Sequence, residues 1–122
     1  MSARLIDHLH VTVRDLAASR RFYAAVLGAI GIELRDHAAK HAFSAGELWV
    51  TDRGELTGRM HFAFRADDRA SVDRFHAAGL AAGGRDNGAP GFREYQPGYY
   101  AAFLLDPDGN NVEAVHHDRP AA

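Results

Sequence analysis

The stretch Arg21-Phe22-Tyr23-Ala24-Ala25 returns further along the chain as Arg74-Phe75-His76-Ala77-Ala78, at an offset of 53 residues. The same offset, without a gap, relates three pairs just upstream of each stretch: His8 and His61, Leu9 and Phe62, Val11 and Phe64. A five-residue match alone can arise by chance. Agreement in the order of elements over about twenty residues favours an internal repeat, which predicts two copies of one structural unit.

Each copy begins with a segment of alternating apolar and polar residues. Residues 5–13 alternate so that His8 and His10 share one face, and residues 60–66 alternate so that His61 lies opposite two phenylalanines. A period of two is typical of a half-buried strand. We therefore expect each copy to open with a strand that carries histidine on one face.

An amphipathic segment follows each predicted strand. Asp15 is placed to cap a helix over residues 16–27 that stops at Gly28, and Asp68 is placed to cap a second helix that ends at Gly79. Aspartate is a favoured residue at a helix start, and glycine is common just past a helix end. The prediction is one helix in each copy.

Less regular strand-like sequence follows each helix, at residues 30–35, 41–45 and 47–51 in the first copy and at 99–105 and 111–116 in the second. The sequence Asp-Pro-Asp-Gly-Asn at 106–110 predicts a tight turn between the last two strands. Residues 81–91 are rich in glycine but lack the spacing of a phosphate-binding loop, so we expect a flexible connection there. The chain is thus predicted to be α+β, with βαβββ modules at 4–57 and 58–117 and a tail at 118–122.

Composition excludes several classes of protein. Hydrophobic residues make up 47% of the chain and charged residues 25%, which is too apolar for a disordered protein. The net charge of −2 gives no basic footprint for nucleic acid or an anionic membrane. The absence of cysteine excludes disulfides, a thiolate nucleophile and a Cys-ligated zinc site. The first residues lack the apolar core of a signal peptide, so we expect a cytoplasmic protein.

The ordered motifs resemble those of the vicinal oxygen chelate superfamily, the glyoxalase, bleomycin-resistance and extradiol-dioxygenase group. The resemblance rests on Ile6-Asp7-His8, Val13-Arg14-Asp15-Leu16, Met60-His61-Phe62-Ala63-Phe64 and the run from Phe103 through Asp106-Pro107-Asp108-Gly109-Asn110 to Glu113. It implies two modules related by a pseudo-twofold axis, whose sheets curl around a cup for metal and substrate. It also implies a small-molecule substrate, and we expect a homodimer because each module is small.

The resemblance implies divalent-metal ligands on the first and last strands of each module. These positions map onto His8, His61 and Glu113, whereas Trp49 stands where the first module would supply the counterpart of Glu113. Two imidazoles and one carboxylate resemble a facial triad that leaves positions open for substrate. The metal could be Fe, Zn, Ni or Mn. The competing interpretation is two half-buried strand histidines, with Glu113 paired to an arginine.

Other candidates surround these three residues. Tyr99 is a possible proton donor or oxyanion partner, or an aromatic packing residue, and His10 is an acid–base group or a polar residue at the mouth of the cup. Phe103, Trp49 and Arg93 are candidate pocket residues. Trp49 could equally belong to the core, and Arg93 could meet an anionic substrate or be a solvated loop residue. Glu47 could replace the missing ligand only after a shift in register, and His117 shares the strand face of Glu113.

Three functions compete at this point. The first is a metal-dependent enzyme acting on vicinal oxygens, as a lyase, isomerase or dioxygenase. The second is a metal-free protein that sequesters a drug, as bleomycin-resistance relatives do. The third is thiol transfer to an epoxide antibiotic, for which the chain lacks a basic cluster. The three ligands favour the enzyme, and Trp49 disfavours a true glyoxalase I, because the missing carboxylate would supply a ligand or a base.

Overall fold

The computed structural model describes residues 5–118, so residue 4 of the predicted first module and all of the predicted tail except Asp118 lie outside the described residues. The elements in chain order are β1 (Leu9–Thr12), α1 (Leu16–Ala29), β2 (Arg35–His37), a 3-10 turn (Ala38–Lys40), β3 (Ala42–Ala45), β4 (Leu48–Thr51), β5 (His61–Arg65), α2 (Arg69–Ala81), β6 (Arg85–Arg93), β7 (Tyr99–Leu105) and β8 (Asn111–His117).

Two four-stranded sheets repeat the same topology. The first sheet has the order β1-β4-β3-β2 and the second has the order β5-β8-β7-β6. In each sheet the first strand runs parallel to the last, and the other pairs are antiparallel. The α+β fold of two βαβββ modules is therefore confirmed, while the module boundaries at 57 and 58 stay predictions.

The helices begin where the sequence predicts and end later. The side chain of Asp15 accepts a hydrogen bond from the backbone of Ala18 at 3.0 Å, and Asp68 caps α2 in the same way. Each helix then passes through the glycine predicted to stop it. The left-handed conformation that favours glycine occurs further on, at Gly31 (φ +85°) and Gly83 (φ +95°).

Three strand predictions need correction. The predicted strand at 30–35 is displaced, because β2 begins only at Arg35, and the strand predicted over 5–13 is confined to Leu9–Thr12, so that His8 precedes it. The predicted loop at 81–91 is largely strand β6, which pairs with β7 through irregular register near Gly88 and Gly91. Bulged strands tolerate glycine and proline, and this is why the sequence resembled a loop.

One hydrophobic core unites the two modules. Helices α1 and α2 pack against each other, and Phe22 and Phe75, which are equivalent in the repeat, are both fully buried. Residues from both sheets, such as Val50 and Leu104, complete this core. The main core is therefore shared by the two modules.

A buried polar network joins the modules at one point. The hydroxyl of Tyr23 on α1 donates to Asp106 Oδ2 at 2.5 Å, and the same carboxylate accepts from the backbone amides of Asp108 and Asn110 in the β7–β8 turn. The side chain of Asn110 accepts from the amide of Met60, just before β5. Burial and the Asp106 carboxylate raise the pKa of Tyr23 well above its usual value, so the hydroxyl keeps the proton that it donates.

None of the helices formed by residues 5–118 is long and apolar enough to cross a membrane.

Candidate functional site

Three polar side chains meet on one face of the second sheet. His61 Nε2 lies 2.7 Å from Glu113 Oε1, and the hydroxyl of Tyr99 donates to Glu113 Oε2. The residues come from β5, β8 and β7, which are neighbouring strands. We call this side of the sheet, which carries Tyr99, Phe103 and Glu113, the Glu113 face.

The carboxylate of Glu113 is buried, with a side chain 2% exposed, whereas the side chain of His61 is 55% exposed. The carboxylate therefore lies beneath the imidazole, which faces the open side. Partial burial and the hydrogen bond to Glu113 raise the pKa of Tyr99 to about 12. The phenol consequently stays protonated at neutral pH and holds the orientation of Glu113.

An apolar floor surrounds these polar groups. Ala101, Phe103 and Val115 form a small buried cluster with Tyr99 packed against it. Phe103 pairs with Glu113 across β7 and β8, and its ring lies 6.0 Å from that of His61. An apolar floor beside a few convergent polar groups is the usual form of a small-molecule site.

Two predicted neighbours of Glu113 also lie on this face. The guanidinium of Arg93 lies over the ring of Phe103, 5.3 Å from its centroid. The ring of His117 meets that of Tyr99 edge to face at 5.3 Å, so His117 belongs to the outer part of the same face.

The structure does not bring His8 to this group. His8 precedes β1, its side chain is 71% exposed, and its Nδ1 lies 2.8 Å from a carboxylate oxygen of Asp7. Within residues 5–118 no three histidine, aspartate or glutamate side chains come close enough to hold a metal ion. A single chain thus assembles two of the three expected ligands.

His10 and Trp49 lie on the first sheet, whereas Tyr99 lies on the second. They pair across β1 and β4, and Trp49 packs against the ring of His37 at 4.8 Å, with Lys40 Nζ 5.8 Å from its centroid. Trp49 is half-buried, so it lines a surface rather than filling the core. His10 is exposed beside it.

An open groove separates the free edges of the two sheets. Its volume is about 700 Å³, and Leu9 and Leu48 of the first sheet line one side while β5 lines the other. Glu47 also lines this groove. Ile6, 58% exposed, lies at the groove, and the adjoining Leu5 is 97% exposed.

Sequence reasoning missed two features of the site. The contact of His37 with Trp49 was hidden because β2 was predicted too early in the chain. Tyr95, which packs edge to face on Tyr99 at 5.2 Å, gave no periodic signal because it lies between strands.

The family model for the Glyoxalase/Bleomycin resistance protein/Dioxygenase superfamily matches residues 5–114. This chain belongs to that superfamily. The superfamily match spans both sheets, from the residues before β1 to the middle of β8, so it covers the Glu113 face.

Several proteins resemble this superfamily member along most of their length. Uncharacterized protein YqjT of Bacillus subtilis (strain 168) is 30% identical over 90% of this chain and 97% of its own. A glyoxalase/bleomycin resistance protein from Albidiferax ferrireducens T118 is 35% identical, with a TM-score of 0.79, over 96% of this chain and all of that one. Lactoylglutathione lyase from Agrobacterium tumefaciens, 24% identical with a TM-score of 0.66 over 94% of each chain, shares the fold.

Proposed function

We propose that this chain is a metal-dependent enzyme that acts on a small molecule with vicinal oxygens, by lyase, isomerase or dioxygenase chemistry. The observation that carries the proposal is the meeting of His61 and Glu113 at 2.7 Å, with Tyr99 fixing the second carboxylate oxygen. An imidazole nitrogen and a carboxylate oxygen are ligands that Zn, Ni, Mn and Fe accept in proteins. The donor set therefore fits a divalent metal, with one protein ligand still to be supplied.

The missing ligand is His8 of a second copy of the chain. His8 is exposed at the start of β1, next to a groove whose apolar lining includes the exposed Ile6. A second copy that covers this groove would remove Leu5 and Ile6 from water and carry His8 toward another chain's Glu113 face. Self-complementary pairing of this kind is the commonest form of oligomer, and we propose the homodimer on this ground.

A divalent metal at this site would supply Lewis-acid stabilisation of negative charge on substrate oxygens. The chain itself orients Glu113 through the Tyr99 hydroxyl and offers the apolar ring of Phe103 as a surface for the substrate. His10 lies exposed on the first sheet, where it pairs with Trp49, and its role as an acid–base group stays a prediction. Tyr99 is the proton-carrying group nearest the carboxylate.

A metal-free binding protein is the second candidate. It is supported by the fact that both oxygens of Glu113 are hydrogen-bonded within the chain, so the buried carboxylate is satisfied without a metal. Binding proteins of this type need the apolar floor but not the histidines.

Metal content decides between the two candidates. Protein purified without an affinity tag should contain close to one divalent metal per chain, and His61→Ala should remove it. His41→Ala is the matched control, because His41 is an exposed histidine that contacts Arg53 on the first module. Equal metal content in both variants would exclude the site, and a metal-free wild type that tightly binds small molecules would favour the binding protein.

Mixing two variants tests the shared site. His8→Ala and His61→Ala should each lose metal, yet after subunit exchange the mixture should recover about a quarter of the wild-type content, because half of the dimers are mixed and each holds one intact site. Loss of metal in each variant alone, with no recovery in the mixture, would place the ligands within one chain, and full metal in the His8→Ala variant would exclude His8 as a ligand. Because imidazole must be neutral to bind metal, the content should also fall in acid.

A further inference from the structure

Arg93 is held in place by the backbone rather than by a carboxylate. Its Nη1 donates to the carbonyl of Gly91 at 3.0 Å, and its Nη2 donates to the carbonyl of Ala89 at 2.8 Å. The guanidinium lies 5.3 Å from the ring centroid of Phe103. Two hydrogen bonds and an aromatic surface fix the cation at one place on the Glu113 face.

Strand β6 is shaped around this guanidinium. Its register to β7 slips on both sides of Gly88, which has φ +154°. A Cβ at Gly88 would lie 2.9 Å from Phe103 Cδ1 and 3.2 Å from Arg93 Nη2, and a Cβ at Gly91 would lie 3.2 Å from Arg93 Nη1. Side chains at these two positions would press on the cation. The bulged segment that resembled a flexible loop is therefore a close-fitting cradle for Arg93.

The cradle leaves the positive charge without an anion. No carboxylate among residues 5–118 forms an ion pair with Arg93, whereas Arg20 and Arg53 each pair with an aspartate. Backbone carbonyls are neutral, and they occupy two of the five N–H donors that a guanidinium carries. The remaining donors suit an oxyanion, because the planar fork of arginine matches a carboxylate.

The cation and the proposed metal ligands share one floor. Phe103 lies under the Arg93 guanidinium, and its ring centroid is also 6.0 Å from that of His61. Because the guanidinium and the imidazole both lie beside the Phe103 ring, a single small organic molecule is long enough to reach both groups. A ligand whose carboxylate meets Arg93 would extend over Phe103 toward His61 and Glu113.

We propose that Arg93 is an anion-binding residue, and that the substrate class is a small carboxylate whose other end offers oxygen atoms to His61 and Glu113. The second half of this statement rests on the proposed function; the anion site itself does not, because Arg93 is positioned by β6 and Phe103 alone. A neutral substrate would leave the oriented cation unpaired.

Benzoate and benzamide test the anion site, because they have the same shape and differ in charge. Both are titrated by calorimetry into protein stripped of metal with a chelator. We expect benzoate to bind at least tenfold more tightly than benzamide, and Arg93→Gln to abolish that preference. Arg21→Gln is the matched control: Arg21 also donates to a backbone carbonyl, that of Ala81, but lies on α1.

A second variant keeps the charge and crowds the place where Arg93 and Phe103 meet. Gly88→Ala should push on the guanidinium and weaken benzoate at least tenfold, with an unchanged circular dichroism spectrum. Equal binding of benzoate and benzamide, no saturable benzoate binding up to its solubility, or an undiminished preference in Arg93→Gln would each overturn the anion site.

Failure of the anion site and failure of the proposed function are distinguishable. Metal content reports on His61 and Glu113, and it should be unchanged in Arg93→Gln. The benzoate preference reports on Arg93, and it should survive in metal-free His61→Ala.

Discussion

Trp49 occupies in the first sheet the position that Glu113 occupies in the second. Trp49 pairs with His10 across β1 and β4, and Glu113 pairs with Ala63 across β5 and β8. His10 and Ala63 are the residues that the 53-residue offset superposes. The two modules thus agree in register but differ in chemistry, with an indole where the other module has a carboxylate.

Turnover of the hemithioacetal of methylglyoxal and glutathione should be negligible, even with nickel or zinc supplied. An indole can neither bind a metal nor accept the proton that this isomerisation moves. The assay follows the change in absorbance as the thioester forms, with the Agrobacterium tumefaciens lactoylglutathione lyase as positive control. A kcat/KM at or above roughly 10⁴ M⁻¹s⁻¹ would contradict the prediction and point to Glu47 as a further ligand.

Tyr23→Phe should destabilise the protein by about 2 kcal/mol, because it takes one donor away from the buried Asp106 carboxylate and leaves its other contacts in place. The free energy of unfolding in urea measures this. Tyr100→Phe is the matched control, since its hydroxyl also donates to an aspartate, Asp73, but at an exposed position. That control should change stability by less than about 0.5 kcal/mol, and a similar loss in both variants would refute a special role for the Tyr23 contact.

Glycine-to-alanine substitutions in the two helices should have opposite effects. At Gly79 a Cβ would lie 2.2 Å from Leu104 Cδ1 and 2.9 Å from Val26 Cγ1, and both partners are fully buried, so the loss should be at least about 2 kcal/mol. At Gly28 a Cβ meets nothing within 4 Å, and Ala should stabilise α1 by roughly 0.5–1 kcal/mol. The free energy of unfolding in urea measures both changes. If the two substitutions changed it in the same direction, α2 would not approach β7 as closely as the Gly79 contacts indicate.

The melting temperature of the protein should depend on pH through the carboxyl group of Asp68. Hydrogen bonds from Ser71 hold the pKa of the Asp68 carboxyl below its usual value. The folded state therefore gains stability above the unfolded value, about 3.9, and loses it as the pH falls through the lower folded value. Asp68→Asn keeps a capping side chain without a charge. The wild type should melt at a higher temperature than this variant at pH 7, and the difference should shrink as the pH falls through the folded pKa of Asp68. A difference that stays constant with pH would contradict the lowered pKa.

The sequence predicted the parts of the fold that rest on local chemistry. The Asp15 and Asp68 caps and the 106–110 turn follow from short-range patterns, and the structure has all three. Strand β6 was missed because Gly88, Pro90 and Gly91 are residues of loops in most proteins, and only the pairing with β7 makes them a strand.

In the candidate site, too, some contacts could be predicted from the sequence and others could not. Glu113, His61 and Tyr99 come together because β5, β8 and β7 are adjacent, and that adjacency follows from the βαβββ order. The separation of His8 from them depends on how two long segments pack, which no local pattern records. The hydrogen bonds that Arg93 donates to backbone carbonyls could not be predicted either, because they depend on the bulge in β6.

The hydrogen bond between Tyr23 and Asp106 joins residues 83 positions apart in the chain. A chain emerging from the ribosome therefore exposes α1 well before its partner turn has been synthesised. During that interval the apolar side of α1, with Phe22 next to Tyr23, has neither α2 nor β7 to cover it. The first module therefore stays partly folded until the second module has been synthesised. Contacts of such long sequence separation are associated with slow folding. Cotranslational association with a chaperone would protect this face until the last hairpin closes.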